Sequence, residues 1–152
     1  MSARTAVFAL CLALALAACG GSGGDPVGSD SSRGPTYVLV STAPDPLRAA
    51  SNNGADAGTY PVVVSFDLLI QETGGTACNL TNQTLVASPD PGPVKVERDI
   101  PTTAVPANGT LRIPMRLFYT RSLPAGMTLG LGVSVIDIHG NVVSQTGFVT
   151  VR

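Results

Sequence analysis

Tryptophan is absent from this chain of 152 residues, histidine occurs once, and only 12% of the residues are charged. Each shortage closes a class of function. Sheet proteins that bind sugars stack the rings on tryptophan or exposed tyrosine. Here the tyrosines are Tyr37, Tyr60 and Tyr119 alone, so carbohydrate is disfavoured as a ligand. The formal net charge is −1, and the cationic side chains are scattered arginines plus the single lysine Lys95. That surface offers no basic field to nucleic acid or to anionic lipid. Catalysis by the lone His139 requires a nucleophile and an orienting carboxylate, and no spacing in the sequence supplies them. No enzyme is expected, and no cofactor.

Long apolar runs are equally scarce. The one that stands out, VFALCLALALAA at residues 7–18, follows a short segment carrying Arg4. As a helix it extends about 18 Å at 1.5 Å per residue, against a bilayer hydrocarbon core of about 30 Å. It has no polar face with which to sit on a soluble core, and its anatomy is that of an export signal. The run closes on Leu16-Ala17-Ala18-Cys19 and then dissolves into glycine and serine. Small residues before a cleavage point suit a signal peptidase, whose pocket rejects bulky side chains.

These four residues resemble the lipobox of bacterial lipoproteins. The resemblance implies signal-peptidase recognition through Leu16, Ala17 and Ala18, removal of residues 1–18, and attachment of a diacylglycerol to the Cys19 thiol. Two or three acyl chains on one residue hold a protein to a leaflet without any spanning helix, because each buried methylene contributes about 0.8 kcal/mol. Gly20 stands where an aspartate retains many such proteins at the inner membrane, so the implied address is the outer membrane of the cell envelope. On that implication Cys11 leaves with the leader and Cys19 is occupied. Cys78 is then the last thiol, and an intramolecular disulfide is excluded.

Residues 19–35 are expected to form the lipidated cysteine and a flexible tether. Glycine- and serine-rich coil reaches about 5–6 Å × √n, which gives this tether roughly 22 Å. Residues 36–152 form the domain. Seventeen glycines and twelve prolines in the whole chain interrupt it too often for long helices. Strand-like alternation recurs between those breaks. YVLVSTA at 37–43 reads as a first strand. VVVSFDLLIQE at 62–72 puts Val62, Val64, Phe66, Leu68 and Ile70 on one face. CNLTNQTLVAS is weaker, with Leu80, Thr84 and Val86 suggesting an edge strand. Val94 and Val96 alternate with Lys95 and Glu97. From Thr110, Leu111, Ile113, Met115, Leu117 and Tyr119 share one face, and Pro114 predicts a bulge or an unpaired backbone position. MTLGLGVSVIDI and NVVSQTGFVTV close the chain as a hairpin turning at Gly140.

About seven such strands predict an all-β, two-sheet antiparallel sandwich. The closing stretch, with Asp137, Gly140 and Asn141, is similar to the final hairpin of bacterial immunoglobulin-like and fibronectin type III-like domains. That similarity implies the fold class and no activity. Asp137, His139 and Asn141 alternate as metal ligands might, yet no bidentate acid completes a calcium loop. The aspartate and asparagine are expected to bind the turn backbone instead, and no metal is expected. Cys78, Met115, Met127 and His139 lack the clustered spacing of a copper site. The functional expectation is a lipid-anchored envelope protein that meets the membrane through its anchor and presents a non-catalytic domain to a protein partner. Its contact surface would be a sheet edge or the loop at residues 49–60. A periplasmic enzyme or accessory using His139 is the alternative, and a subunit of a larger envelope assembly is another.

Overall fold

The computed structural model describes residues 35–88 and 92–152; the expected signal segment, Cys19 and most of the expected tether lie outside them. The described chain is built entirely of strands and turns. In order, the strands are β1 (Val38–Ala43), β2 (Ala49–Ser51), β3 (Val62–Glu72), β4 (Cys78–Ser88), β5 (Lys95–Arg98), β6 (Ala104–Val105), β7 (Thr110–Tyr119), β8 (Thr128–Asp137) and β9 (Val142–Thr150). One sheet runs β1-β3-β7-β5, with β2 added beside the start of β3, and the other runs β6-β4-β8-β9. All of these strand pairs are antiparallel. The protein is a two-sheet antiparallel β-sandwich. Nine strands form where about seven are legible, because β2 and β6 span three and two residues and leave no readable period.

Alternation drives the architecture. Along β3 and β7, which pair in unbroken register from Val62↔Tyr119 to Gln71↔Thr110, every second side chain turns inward. Val64, Ile70, Ile113 and Leu117 are fully buried there, and Leu129 and Val135 meet them from β8. Each such side chain contributes about 1.5–3 kcal/mol by leaving water. With Cys78 free and buried, this burial does the holding without a cross-link. Register with β3 continues straight through Pro114, so the expected bulge is not there. Pairing with β5 instead stops one residue away, at Arg98↔Met115, which leaves proline where a missing N–H costs no ladder bond.

Two strands depart from a plain alternation of buried apolar and exposed polar residues. In β4 the register with β8 slips between Leu80 and Asn82, so Thr81 is a bulge. An extra residue inverts the parity of all that follows. Leu80 points inward, but beyond it Gln83, Leu85 and Ala87 turn in, while Thr84 and Val86 face solvent. In β5 the valines are the more exposed set, with Val94 at 60% and Val96 at 43%. They share the inner side with Leu117 and Met115, but the sandwich is open beside them.

The two long sides of the sandwich differ. On one, Leu47 bridges Val151 in parallel, with Leu47 N–H donating to the Thr150 carbonyl at 3.0 Å and Arg152 N–H to the Leu47 carbonyl at 2.9 Å. There β1 approaches β9 so closely that a Cβ on Gly147 would stand 2.6 Å from the Val40 carbonyl oxygen. Here the two sheets are drawn together, although β1 and β9 also end their sheets and a hollow of about 130 Å³ lies between them beside Val40, Gly147 and Phe148. On the other side β5 and the second half of β4 end their sheets, and nothing among the described residues spans them as a strand.

Candidate functional site

Leu16, Ala17, Ala18 and Cys19 lie outside the described residues. Among the residues considered for chemistry, Asp137 is the most heavily engaged. Its Oδ1 accepts the His139 and Asn141 backbone N–H groups at 2.8 and 2.9 Å, and its Oδ2 accepts Asn141 Nδ2 at 2.9 Å and Thr36 Oγ1 at 3.2 Å. The Asn141 side-chain hydrogen bond, helped by those backbone donors and Thr36, overcomes desolvation and holds the carboxyl down to about 2. Both oxygens are spent on the β8–β9 turn, where Gly140 takes a φ of +84°. His139 is exposed at the tip. The turn reading of Asp137 and Asn141 therefore describes the observed geometry. Among the described residues no group of three or more histidine, cysteine or acidic side chains is arranged to hold a metal.

Glu72 is a polar feature that sequence reading left as the last residue of a strand. It is fully buried. Its Oε1 accepts Gly74 N–H at 2.6 Å, and its Oε2 accepts Asn108 N–H at 2.8 Å and Gly75 N–H at 3.0 Å. Burial pushes the carboxyl up, but the backbone donors of Asn108, Gly74, Thr76 and Gly75 together outweigh it and leave it below the ordinary value. The carboxylate thus serves as an internal template for two turns. Gly74 is required there because a Cβ would stand 2.0 Å from the Pro35 carbonyl oxygen. Cys78 lies nearby and is 2% exposed. Burial first, then the charges of Glu72 and Asp137, raise its thiol above the usual range and make it a poor nucleophile.

The loop at residues 49–60 is tied down. Asn52 Nδ2 donates to Asp56 Oδ1 at 3.0 Å and to the Tyr60 carbonyl at 2.9 Å, and Lys95 Nζ reaches Asp56 at 3.1 Å. Lys95 also pairs with Glu97 at 2.7 Å and lies 4.8 Å above the Phe118 ring, which Tyr60 flanks at 5.9 Å. The polar loop thus covers a small apolar patch on the outer face of β7, and Phe118 beneath it is 1% exposed. Tyr60, half-buried against Phe118, ties the end of the loop to that patch.

Among the described residues, the open side presents an unpaired strand edge beside a groove. On the flank away from β8, β4 pairs with β6 only at Cys78 and Asn79, so its edge from Asn82 to Ser88 is unpaired. Between this edge and β5 lies a groove of about 250 Å³, floored by Leu68, Met115 and Leu131 and walled by Leu85 and Val96. It continues past Gln83 and Arg98 into a second hollow of about 180 Å³ beside Ile100 and Thr103. Arg98 Nη1 donates to Gln83 Oε1 at 3.1 Å across the gap. Gln83 Nε2, though buried, has no hydrogen-bond partner. The bulge at Thr81 carries Gln83 into this wall, which is why the sequence pattern placed it elsewhere.

No protein-family model matches the chain, and no curated protein is significantly similar to it. Among solved structures, it is similar to a FixG-related protein from Vibrio parahaemolyticus at 14% identity and a TM-score of 0.37, over 78% of this chain and 97% of that one. A likeness at that level carries no argument about function.

Proposed function

We propose that this chain is a bacterial envelope lipoprotein, anchored to the outer membrane through lipid on Cys19, whose immunoglobulin-like β-sandwich serves as a non-catalytic protein-binding module. The anchor rests on Leu16-Ala17-Ala18-Cys19 and the glycine-rich stretch that follows. The observation that carries the binding role is the unpaired edge of β4 beside an open apolar groove. Exposed strand edges are usually blunted by lysine, proline or a covering element, since they otherwise template pairing with another chain. The segment Cys78–Ser88 contains no charged residue and no proline. The engagement of Asp137 in its turn and the exposure of His139 also fit a module without a reaction centre better than an enzyme.

Fractionation of producing cells and mass spectrometry of the N-terminal peptide test the anchor. The wild-type protein sediments with membranes and bears acyl mass on residue 19, while Cys19→Ser retains its leader. Wild-type protein recovered with a free thiol at residue 19 overturns the anchor. Replacement of His139 by alanine leaves binding intact; an accompanying loss of an enzymatic activity overturns the non-catalytic role.

A further inference from the structure

We propose that the β4–β5 groove binds an extended peptide segment of a partner protein that carries an apolar side chain and, two residues along on the same face, a carboxylate. This rests on the protein-binding reading above and specifies its ligand.

The groove is layered. Leu85 on β4 and Val96 on β5 face each other over the floor of Leu68, Met115 and Leu131, and form an apolar layer. Two residues along each strand, Gln83 and Arg98 form a polar layer. A strand added along β4 presents alternate side chains to the groove, spaced by about 6.6 Å. One therefore meets the Leu85–Val96 layer and the next inward one meets Gln83 and Arg98. The apolar layer is unsatisfied, as the exposure of Val94 and Val96 shows.

The polar layer fixes the chemistry of the second position. None of the described residues lining either hollow is acidic, and the Arg98 guanidinium donates there to the Gln83 amide oxygen. Glu97, its neighbour, faces the other side and pairs with Lys95 and Arg116. Gln83 is the neutral polar member of this layer, its Oε1 accepting from Arg98 and its Nε2 buried. A guest carboxylate accepts from the Arg98 guanidinium, and charge-assisted hydrogen bonds are the strong ones. A second copy of this chain is the poorer occupant. Its own β4 holds no carboxylate to offer Arg98.

The test uses the detergent-solubilised full-length protein and a capped, fluorescein-labelled heptapeptide, Thr-Ser-Val-Thr-Glu-Thr-Ser. Fluorescence anisotropy is expected to saturate. Affinity is expected to fall about tenfold when the peptide Glu becomes Gln, the scale of one charge-assisted bond, and as much when Val and Glu are made adjacent. Arg98→Gln is expected to abolish the difference between the Glu and Gln peptides. Val96→Glu, which places a carboxylate in the groove beside Arg98, is expected to block binding with an unchanged circular-dichroism spectrum. Equal affinity for the Glu and Gln peptides, or no saturable binding, overturns the proposal. A photo-crosslinker at position 86 separates the two levels. Adducts to a protein in intact membranes without peptide binding leave the module reading standing and remove this ligand. Absence of both removes the two together.

Discussion

The Val40 carbonyl oxygen stands 2.6 Å from the position a Cβ would occupy on Gly147. The contact brings β1 of one sheet against β9 of the other. Backbone cannot swing aside as a flexible side chain can. Gly147→Ala is therefore expected to force the two edges apart and to lower stability by about 1–3 kcal/mol, the usual cost of overpacking. Urea unfolding followed by circular dichroism measures it. An unchanged midpoint would show that the edges are not in contact.

Glu72 makes a prediction of the opposite kind, in which loss of a group leaves vacancies. Glu72→Ala removes the acceptor of the Gly74, Gly75 and Asn108 backbone N–H groups, among others. These donors are part-buried, so water replaces some of the lost bonds, and a loss of about 1–3 kcal/mol in all is expected. Glu72→Gln keeps an acceptor oxygen and should recover part of it. Denaturant midpoints for the two variants, compared with wild type, check the order.

Asp137 links the last turn to pH. Its carboxyl is lowered in the folded chain from 3.8 to about 2. The folded state therefore releases this proton more readily than the unfolded one. The stabilisation is present above pH 3.8 and is lost as pH falls through about 2. Glu72, also lowered from its ordinary 4.5, adds to the same acid limb. Asp137→Ala is expected to be less stable at neutral pH and to lose less further stability on acidification between pH 4 and pH 2. Urea midpoints recorded across that range test it, and parallel acid limbs would remove Asp137 from the account.

What the sequence could and could not convey follows from the range of each interaction. The faces of β3 and β7 are legible because alternation is local and each strand keeps one parity along its length. The single residue Thr81 inverts that parity midway along β4, and nothing local marks it as a bulge. Val94 and Val96 satisfy the period of a buried face, yet their burial depends on a neighbouring strand that is not there. Asp137 and Asn141 are readable as turn residues because their partners lie within four positions. Glu72 is not, because Asn108, one of its partners, is distant in sequence and meets it only through the fold. The groove shares that origin: its walls come from β4 and β5, and its chemistry from Gln83 and Arg98, which no spacing rule joins.

Tyr119 supplies the last prediction. It completes the inner face of β7 at 1% exposure, and its hydroxyl is buried with no hydrogen-bond partner. Burial raises its ionisation from 10.0 to about 12. A polar group carried into the core without a partner costs about 1–3 kcal/mol, which the ring's burial more than offsets. Tyr119→Phe removes the cost and keeps the ring, so stability at neutral pH is expected to rise by about 1 kcal/mol. The alkaline limb gives a second, independent readout. The folded state holds this proton more tightly than the unfolded one, so the contribution is intact below pH 10 and is lost as pH rises through about 12. The phenylalanine variant lacks that component and should lose stability less steeply above pH 10. Urea midpoints at pH 7 and pH 11 separate the effects. A variant that is less stable at pH 7 would mean that the hydroxyl has a partner after all.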